Sequence, residues 1–466
     1  MIIKTNTETF KNDIYDVLHM FYPNSEMDTD DGIFFLHETN FDGDVALTKV
    51  EMQSVYLTGK IDLSGVRNEL LRKRLVKRNI KLVSYKLLSQ LTGLSMPWGC
   101  LTGIRPTKLA YELIEEGTDP SFIKETLMQK FLVREDKAKL VAKILANQNC
   151  IIKNDKLVDI YINIPVCPTR CSYCSFISSE YNAVKKLIPD YLEALIKEIR
   201  AMKNLMIDKA YVVRSMYIGG GTPSVLSAEE LELLLNELNL PVTEFTVECG
   251  RPDTITDEKL QVLKNAGVTR ISINPQTFCQ KTLKIIGRNH TLSDVLEAYK
   301  LALKYDFVIN MDFIAGLPGE KFPTFKKSID TALELSPDNI TVHTLSIKHG
   351  SILAKNPPES EDKVEKMVSY AYEKLLADGY VPYYMYRQKN QLQGLENVGY
   401  SKKGKISIFN VDSMEETCNI IACGAGAISK RVYQFEGRIE RQQNPKFLSD
   451  YITRVDEMIE KKNKFF

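Results

Sequence analysis

The sequence lacks the features that would carry it out of the cell, into a membrane or onto nucleic acid. Its first residues, MIIKTNTETF, do not contain the apolar core of a signal peptide. No apolar run is long enough to span a bilayer. The expected location is therefore the cytoplasm. An excess of charge is missing too: 61 Lys and Arg stand against 60 Asp and Glu, a formal net charge of +1. That balance argues against a strong whole-chain pull toward nucleic acid or a membrane surface. There is no low-complexity tract and no evident internal repeat. The nine cysteines are an odd number in a chain without an export signal, so they read as reduced thiols and exclude a disulfide framework.

What is present is a large chain with a large core. Its 466 residues exceed one ordinary domain, and 44% of them are apolar. Residues 1–150 read as an N-terminal α/β domain: strands such as GIFFLHETN and ALTKVEMQSVYLTG come first, and helical patterns such as ELLRKRLVKRNIKLVSYKLLSQL follow. The turn-rich stretch PWGCLTGIRPTK (97–108) carries the one tryptophan, Trp98. The basic run at 67–81 offers either a nucleic-acid surface or a solvated helix face, and the second is the ordinary case.

From residue 151 to 375 apolar strands alternate with longer helices. The strands are LVDIYINI, SMYIGG, EFTVEC, RISINPQ, VINMDFIAG and ITVHTLSI. Alternation of this kind predicts a parallel sheet. Six units fall short of the eight of a closed barrel, so the expected fold class is α/β, a partial (β/α)6 TIM-like barrel. Residues 376–466, where the alternation fades, are expected to form a short C-terminal extension.

Ligands of parallel α/β sheets bind at the carboxyl ends of the strands. The unusual residues sit there. Strand one leads into CPTRCSYC, with Cys167, Cys171 and Cys174 spaced C-x3-C-x2-C. Strand two ends in GGGTP and a capping-box sequence at Ser227. Strand three ends in Glu248, strand four runs into Asn274 and Gln276, strand five carries Asp312, and strand six carries His343. Structural zinc wants a closed set of four ligands, which Cys249, Cys279 or a histidine would have to complete. An iron–sulfur cube held by three thiolates instead keeps one iron open for catalysis. His290 and His343 are barrel histidines to which the sequence gives no role.

C-x3-C-x2-C after a first barrel strand resembles the signature of radical S-adenosylmethionine (SAM) enzymes. In order, YINIPVCPTRCSYCSF, GGGTP, ISINPQTF, NMDFIAGLPG and CGAGAIS resemble the oxygen-independent coproporphyrinogen III oxidase (dehydrogenase) family over roughly 155–430. The stretch WGCLTGIRPTK is similar to the subgroup with an extra N-terminal domain. The resemblance implies a [4Fe–4S] cluster on Cys167, Cys171 and Cys174, with SAM as the remaining ligand and source of an adenosyl radical. It implies contacts to the first SAM from Tyr161, Gly220, Gly221, Thr222, Glu248 and Ile428, with Tyr161 and Glu248 in catalytic positions. Gln276, Arg288 and Asp312 match contacts to a second SAM. The implied reaction is oxidative decarboxylation of two propionates of coproporphyrinogen III to the vinyls of protoporphyrinogen IX. The implied partners are a tetrapyrrole substrate and an external one-electron donor such as flavodoxin or ferredoxin, with no membrane and no nucleic acid.

Two departures bear on the substrate. The best-described oxidases carry a fourth cysteine where this chain has Phe176, and the 37 residues after Ser429 are too few for the family's helical C-terminal domain. A haem-binding delivery protein and a haem-modifying or methylating enzyme are therefore alternative expectations, and RNA modification a fourth that rests on the basic run alone. Four propionates call for cations, for which Arg105, Lys108, Lys348 and Arg387 are candidates. Trp98, Arg105 and Lys108 are expected either at the barrel mouth, as a lid over the tetrapyrrole, or in a domain-internal turn.

Overall fold

A computed structural model of the chain describes residues 1–103, 105–176, 178–348, 350–355, 364–388, 391–434 and 436–466. It divides into two compact units, Met1–Ala142 and Lys143–Phe466.

In the first unit, strands β1 (Ile2–Thr5), β2 (Phe34–Asp42), β3 (Val45–Met52) and β4 (Val55–Asp62) form one sheet in that order. β1 runs parallel to β2, and the rest are antiparallel. Phe35, His37, Thr39, Ala46, Thr48 and Val50 alternate with exposed neighbours, so one face of the sheet is buried. His37 lies inside, its ring nitrogens 2.8 and 2.9 Å from the Thr5 and Thr39 hydroxyls. Burial pushes its pKa down to about 4.

The long helix Glu69–Thr92 is capped by the Asn68 side chain and ends at Gly93, φ +70°. It carries the basic run. Arg72 pairs with Asp44, Arg74 and Arg78 with Glu112, and Lys77 and Lys81 with Asp13. These partners within the unit give the run the character of a paired helix face. Trp98 is 1% exposed. Its turn is pinned by hydrogen bonds from Cys100 N to Phe131 O and from Arg134 N to Pro97 O. Of the two expectations for this turn, the packed, internal one describes Trp98.

The second unit is built on an eleven-stranded sheet. Its strands, with one side ladder, are β5 (Leu157–Ile164), β6 (Val166–Cys167), β7 (Ser179–Glu180), β8 (Val212–Gly220), β9 (Glu244–Glu248), β10 (Arg270–Ser272), β11 (Val308–Ala315), β12 (Asn339–Thr344), β13 (Val381–Tyr386), β14 (Asn397–Ser401), β15 (Asn419–Cys423), β16 (Ile428–Tyr433) and β17 (Arg438–Gln443). β5, β8, β9, β10, β11 and β12 are parallel neighbours in that order, the six strands read from the sequence. Helices cross between them; the one after the GGGTP turn starts on the expected capping box of Ser227 and Glu230.

Residues 376–466 extend this sheet at both edges. β14 and then β13 add antiparallel steps beyond β12. β15 returns to pair in parallel with β5, and β16 and β17 follow it. Among the described residues no ladder joins β13 to β17, so the sheet stays open. The last helix, Leu448–Phe465, packs on the helix Ile188–Asp208. There a buried Lys462 ammonium lies 2.6 Å from Glu198, which also accepts from Tyr451, Asn444 and Gly424 N. No helix among the described residues is long and apolar enough to cross a membrane.

Candidate active site

The cysteine loop leaves β5 and is clipped at its base, where Val166 and Cys167 pair with Ser179 and Glu180. Inside the loop, Cys174 N donates to Cys171 O at 3.1 Å. The GGGTP turn comes against the start of the loop: Gly221 N reaches Ile164 O and Thr222 N reaches Val166 O, both at 2.8 Å. A Cβ at Gly221 would fall 2.4 Å from Val166 O, so only glycine permits this approach. Gly220, at φ +108°, turns the chain beside Asn163. The Thr222 hydroxyl lies 3.6 Å from Cys167 Sγ.

All three cysteines line one cavity of about 410 Å³ at the carboxyl ends of the parallel strands. Burial pushes the Cys174 thiol up to about 11 and raises Cys167 as well. Thiols so placed need a positive partner before they can be thiolates, and a bound metal centre supplies one. None of Cys249, Cys279, Cys418 or Cys423 lines the cavity, so no fourth thiol completes a zinc set there. Among the described residues the set that converges within 4.8 Å, as ligands of one ion do, is Asp159, Asp412 and Cys418, not the loop cysteines.

Of the nine residues that the resemblance assigns to SAM, eight line the same cavity. Tyr161, on β5, stacks with Tyr217 and Phe409 at 6.1 and 6.0 Å and donates to Asn163 Oδ1 at 3.2 Å. Gly220, Gly221 and Thr222 form the turn just described. Glu248, at the end of β9, accepts from the Tyr217 hydroxyl and from Asn274 Nδ2. Burial first, and then the Asp312 charge, push its carboxyl up to about 7. Asp312, on β11, accepts from Asn310 Nδ2 at 2.8 Å and faces His343 Nε2 at 3.6 Å. Burial opposes its charge, but the His343 hydrogen bond and charge hold its carboxyl below the ordinary range.

Gln276 takes a left-handed conformation, φ +67°, past the end of β10, and bridges to β11 through Asp312 O and Ile314 N. Arg288 is buried and donates to Gly250 O and Asn274 O. Burial opposes the guanidinium charge, but Tyr173 and Cys171 beside it raise its pKa. The exception is Ile428: at the start of β16 it is 44% exposed and does not line the cavity. Of the cations considered for propionates, Lys348 lines the cavity and Arg387 does not; Arg387 donates to Gly394 O.

The sequence reading missed Asn163, Tyr217, Arg251 and Tyr386. Asn163 holds Tyr161 and is held in turn by the Ala425 carbonyl and the Tyr191 hydroxyl. Arg251 spans from Asp253 to Thr169 at the root of the cysteine loop. Tyr386 meets His343 Nδ1 at 3.3 Å. Arg251 and Tyr217 were open to discovery, since each stands at or near a strand end. Asn163 and Tyr386 act through segments far off in sequence.

Residues 161–332 match the radical SAM superfamily. HemZ of Bacillus subtilis, an oxygen-independent coproporphyrinogen-III oxidase-like protein, is 39% identical over 405 residues, 84% of this chain and 81% of its own length. The chain belongs to this family. Its cofactors are accordingly a [4Fe–4S] cluster and SAM. The cavity fits them: beside the three thiols, Asn274 Oδ1, Arg288 Nε and Thr246 Oγ1 are buried without a protein partner on residues that line it. The heme chaperone HemW of Haemophilus influenzae is 29% identical over 318 residues, 66% of this chain and 78% of its own. HemW of Lactococcus lactis is 36% identical over 235 residues, 48% of this chain and 60% of its own. The structure of coproporphyrinogen III oxidase (HemN) from Escherichia coli matches 66% of this chain and 70% of its own at TM-score 0.52 and 21% identity, a likeness of fold.

Proposed function

We propose that this family member performs oxidative decarboxylation of two propionates of coproporphyrinogen III, giving protoporphyrinogen IX. One observation carries the reading: the cluster cysteines, the Glu248–Asn274 pair and the Asp312–His343 pair open onto a single cavity that also holds Lys348 and a wall of tyrosines. A tetrapyrrole with carboxylate arms requires that combination of apolar wall and cations. The likeness to a coproporphyrinogen oxidase-like protein over most of both chains points the same way.

When bound, the reduced cluster and SAM would supply radical abstraction of one hydrogen atom from a propionate β-carbon. Loss of CO2 and transfer of one further electron to an external one-electron acceptor would then leave the vinyl group, so atoms and charge balance. The chain's residues hold this chemistry in place. Cys167, Cys171 and Cys174 would bind the cluster, and Glu248 in its charged form would accept from the methionine ammonium. Tyr161, fixed by Asn163, would contact SAM, and Gly221 lets the GGGTP turn close on Val166 beside the cluster loop. Gln276, Arg288 and Asp312 line the same cavity and would hold a second SAM, Arg288 from beside the cysteine loop. The sheet interior keeps water from the radical. An external one-electron donor is required, and the site of action is cytoplasmic.

Anaerobic turnover of reconstituted protein with SAM, a reductant and coproporphyrinogen III tests this, with the product read by mass. Two successive losses of CO2 and hydrogen are expected. The HemW relatives favour a second reading, haem delivery on the same scaffold. Stoichiometric haem binding without turnover would replace the first reading by that one.

A further inference from the structure

The cysteine loop has an outer face as well as a cavity face. Ser172, between Cys171 and Cys174, is held from two sides: its N–H donates to Ile286 O at 3.0 Å and its carbonyl accepts from Leu353 N at 3.1 Å. The residue before each of those partners faces solvent, Ile285 at 45% exposure and Ile352 at 50%. Phe176, two residues past Cys174, is 67% exposed. Phe176 also lines the cavity, so the outer apolar pair is Ile285 and Ile352, each next to a residue hydrogen-bonded to the cysteine loop.

Among the described residues of 167–180, 280–289 and 346–355 charge is one-sided: Arg170, Lys281, Lys284, Arg288, Lys348 and Lys355 stand against the single carboxylate Glu180, while Glu359, Glu361 and Asp362 follow in sequence outside the described residues. Arg170, Lys281, Lys284 and Lys355 are exposed. Lys281, Lys284, Ile285, Ile352 and Lys355 do not line the cavity. A substrate inside the cavity would not meet them.

We propose that this outer face is the docking surface for a small acidic one-electron carrier of the flavodoxin type. The proposal rests on the radical SAM reading of the site. SAM and substrate fill the cavity side of the loop, so the electron enters from the other side. An apolar centre with a cationic rim fits an acidic partner: opposite charge steers encounter, and rim charges act chiefly on the association rate. In the transfer the carrier is oxidised by one electron and the cluster reduced by one, and no bond forms or breaks.

The test uses full-length reconstituted protein and its Lys284→Glu, Ile285→Glu double variant. Cluster bleaching by photoreduced flavodoxin is followed in stopped flow at low and high salt, and flavodoxin affinity is measured by titration. At low salt the variant's second-order rate should fall about tenfold or more, and the gap should narrow at high salt. Dithionite should bleach the cluster and drive SAM cleavage as in the parent. Lys355→Glu should give a smaller fall in the same direction. Parent rates with flavodoxin in the double variant would overturn the proposal, as would equal losses with both reductants. A raised KM for coproporphyrinogen with unaltered flavodoxin kinetics would assign the face to substrate and overturn it too. If the parent protein fails to cleave SAM even with dithionite, the reading of the site itself falls and takes the docking face with it. That outcome is separable, because it does not involve flavodoxin.

Discussion

Replacing Gly221 by Ala should disable the cluster site while leaving the fold intact. The added Cβ would lie 2.4, 2.7 and 2.8 Å from Val166 O, N and C, all backbone atoms. Ordinary contact begins near 3.4 Å, so the two backbones must part by about 1 Å. No side-chain rotation relieves this. The separation works against the hydrogen bonds Gly221 N to Ile164 O and Thr222 N to Val166 O, both 2.8 Å. Each contributes about 0.5–1.5 kcal/mol net, and overpacking adds roughly 1–3 kcal/mol. The sum, about 2–6 kcal/mol, is below or near the lower end of the stability of an ordinary domain.

The displaced residue is the one before Cys167, and functional constellations tolerate only about 0.5 Å of misplacement. Iron and sulfide content after anaerobic reconstitution, with far-ultraviolet circular dichroism as the fold control, reads the effect. The variant should keep its dichroism, bind markedly less iron and cleave little SAM. Full iron content with parent SAM cleavage would refute the reasoning, because it would mean that the loop and the GGGTP turn move independently.

Four further outcomes are expected. Alanine at Cys167, Cys171 or Cys174 should abolish the cluster, whereas alanine at Cys249, Cys279, Cys418 or Cys423 should leave the iron content unchanged. Glu248→Gln should weaken SAM binding by about ten- to hundredfold, the ~1.5–3 kcal/mol of a charge-assisted hydrogen bond, in calorimetric titration. Because the parent carboxyl sits at about 7, parent affinity should climb as pH rises toward 7, and the variant should lose that dependence. Lys462→Met removes one partner of the buried pair with Glu198 and should destabilise the second unit by roughly 3–5 kcal/mol, read as a lowered Tm. His37, lowered from 6.5 to about 4, is neutral in the fold; its contribution is complete above 6.5 and lost as pH falls toward 4, up to about 3 kcal/mol, which His37→Gln should remove from the pH profile of unfolding.

The parallel strands were legible because they are buried on both faces. LVDIYINI and VINMDFIA read as near-continuous apolar runs, and such runs mark central strands wherever they occur. Among the strands of residues 376–466 the mark is brief or missing: VPYYMY and NIIAC are short apolar runs. NVGYS and RIERQQ are short and polar in large part, and their pairing is set by distant chain: Ile420 lies beside Asp159, which no local periodicity reports. RISINPQ was read as one strand, yet β10 stops at Ser272 and Gln276 makes only a bridge, because its left-handed backbone breaks the ladder.

The site divides along the same line. Residues read at the ends of parallel strands share one cavity, since the architecture sends them to one place. Ile428 was placed by motif similarity alone, and β16 turns it to solvent. The residues that went unseen are those that depend on the chain folding back. The Asn163 side chain is held by Ala425, and Tyr386 on β13 reaches His343 on β12. Tyr383, Tyr384, Tyr386, Asn397, Ser407 and Asn410 all line the cavity that holds the cysteines. A chain ending near residue 375 would keep the cluster loop and the GGGTP turn but lose the wall facing Asp312 and the brace on Tyr161. Those C-terminal strands are therefore part of the reaction chamber.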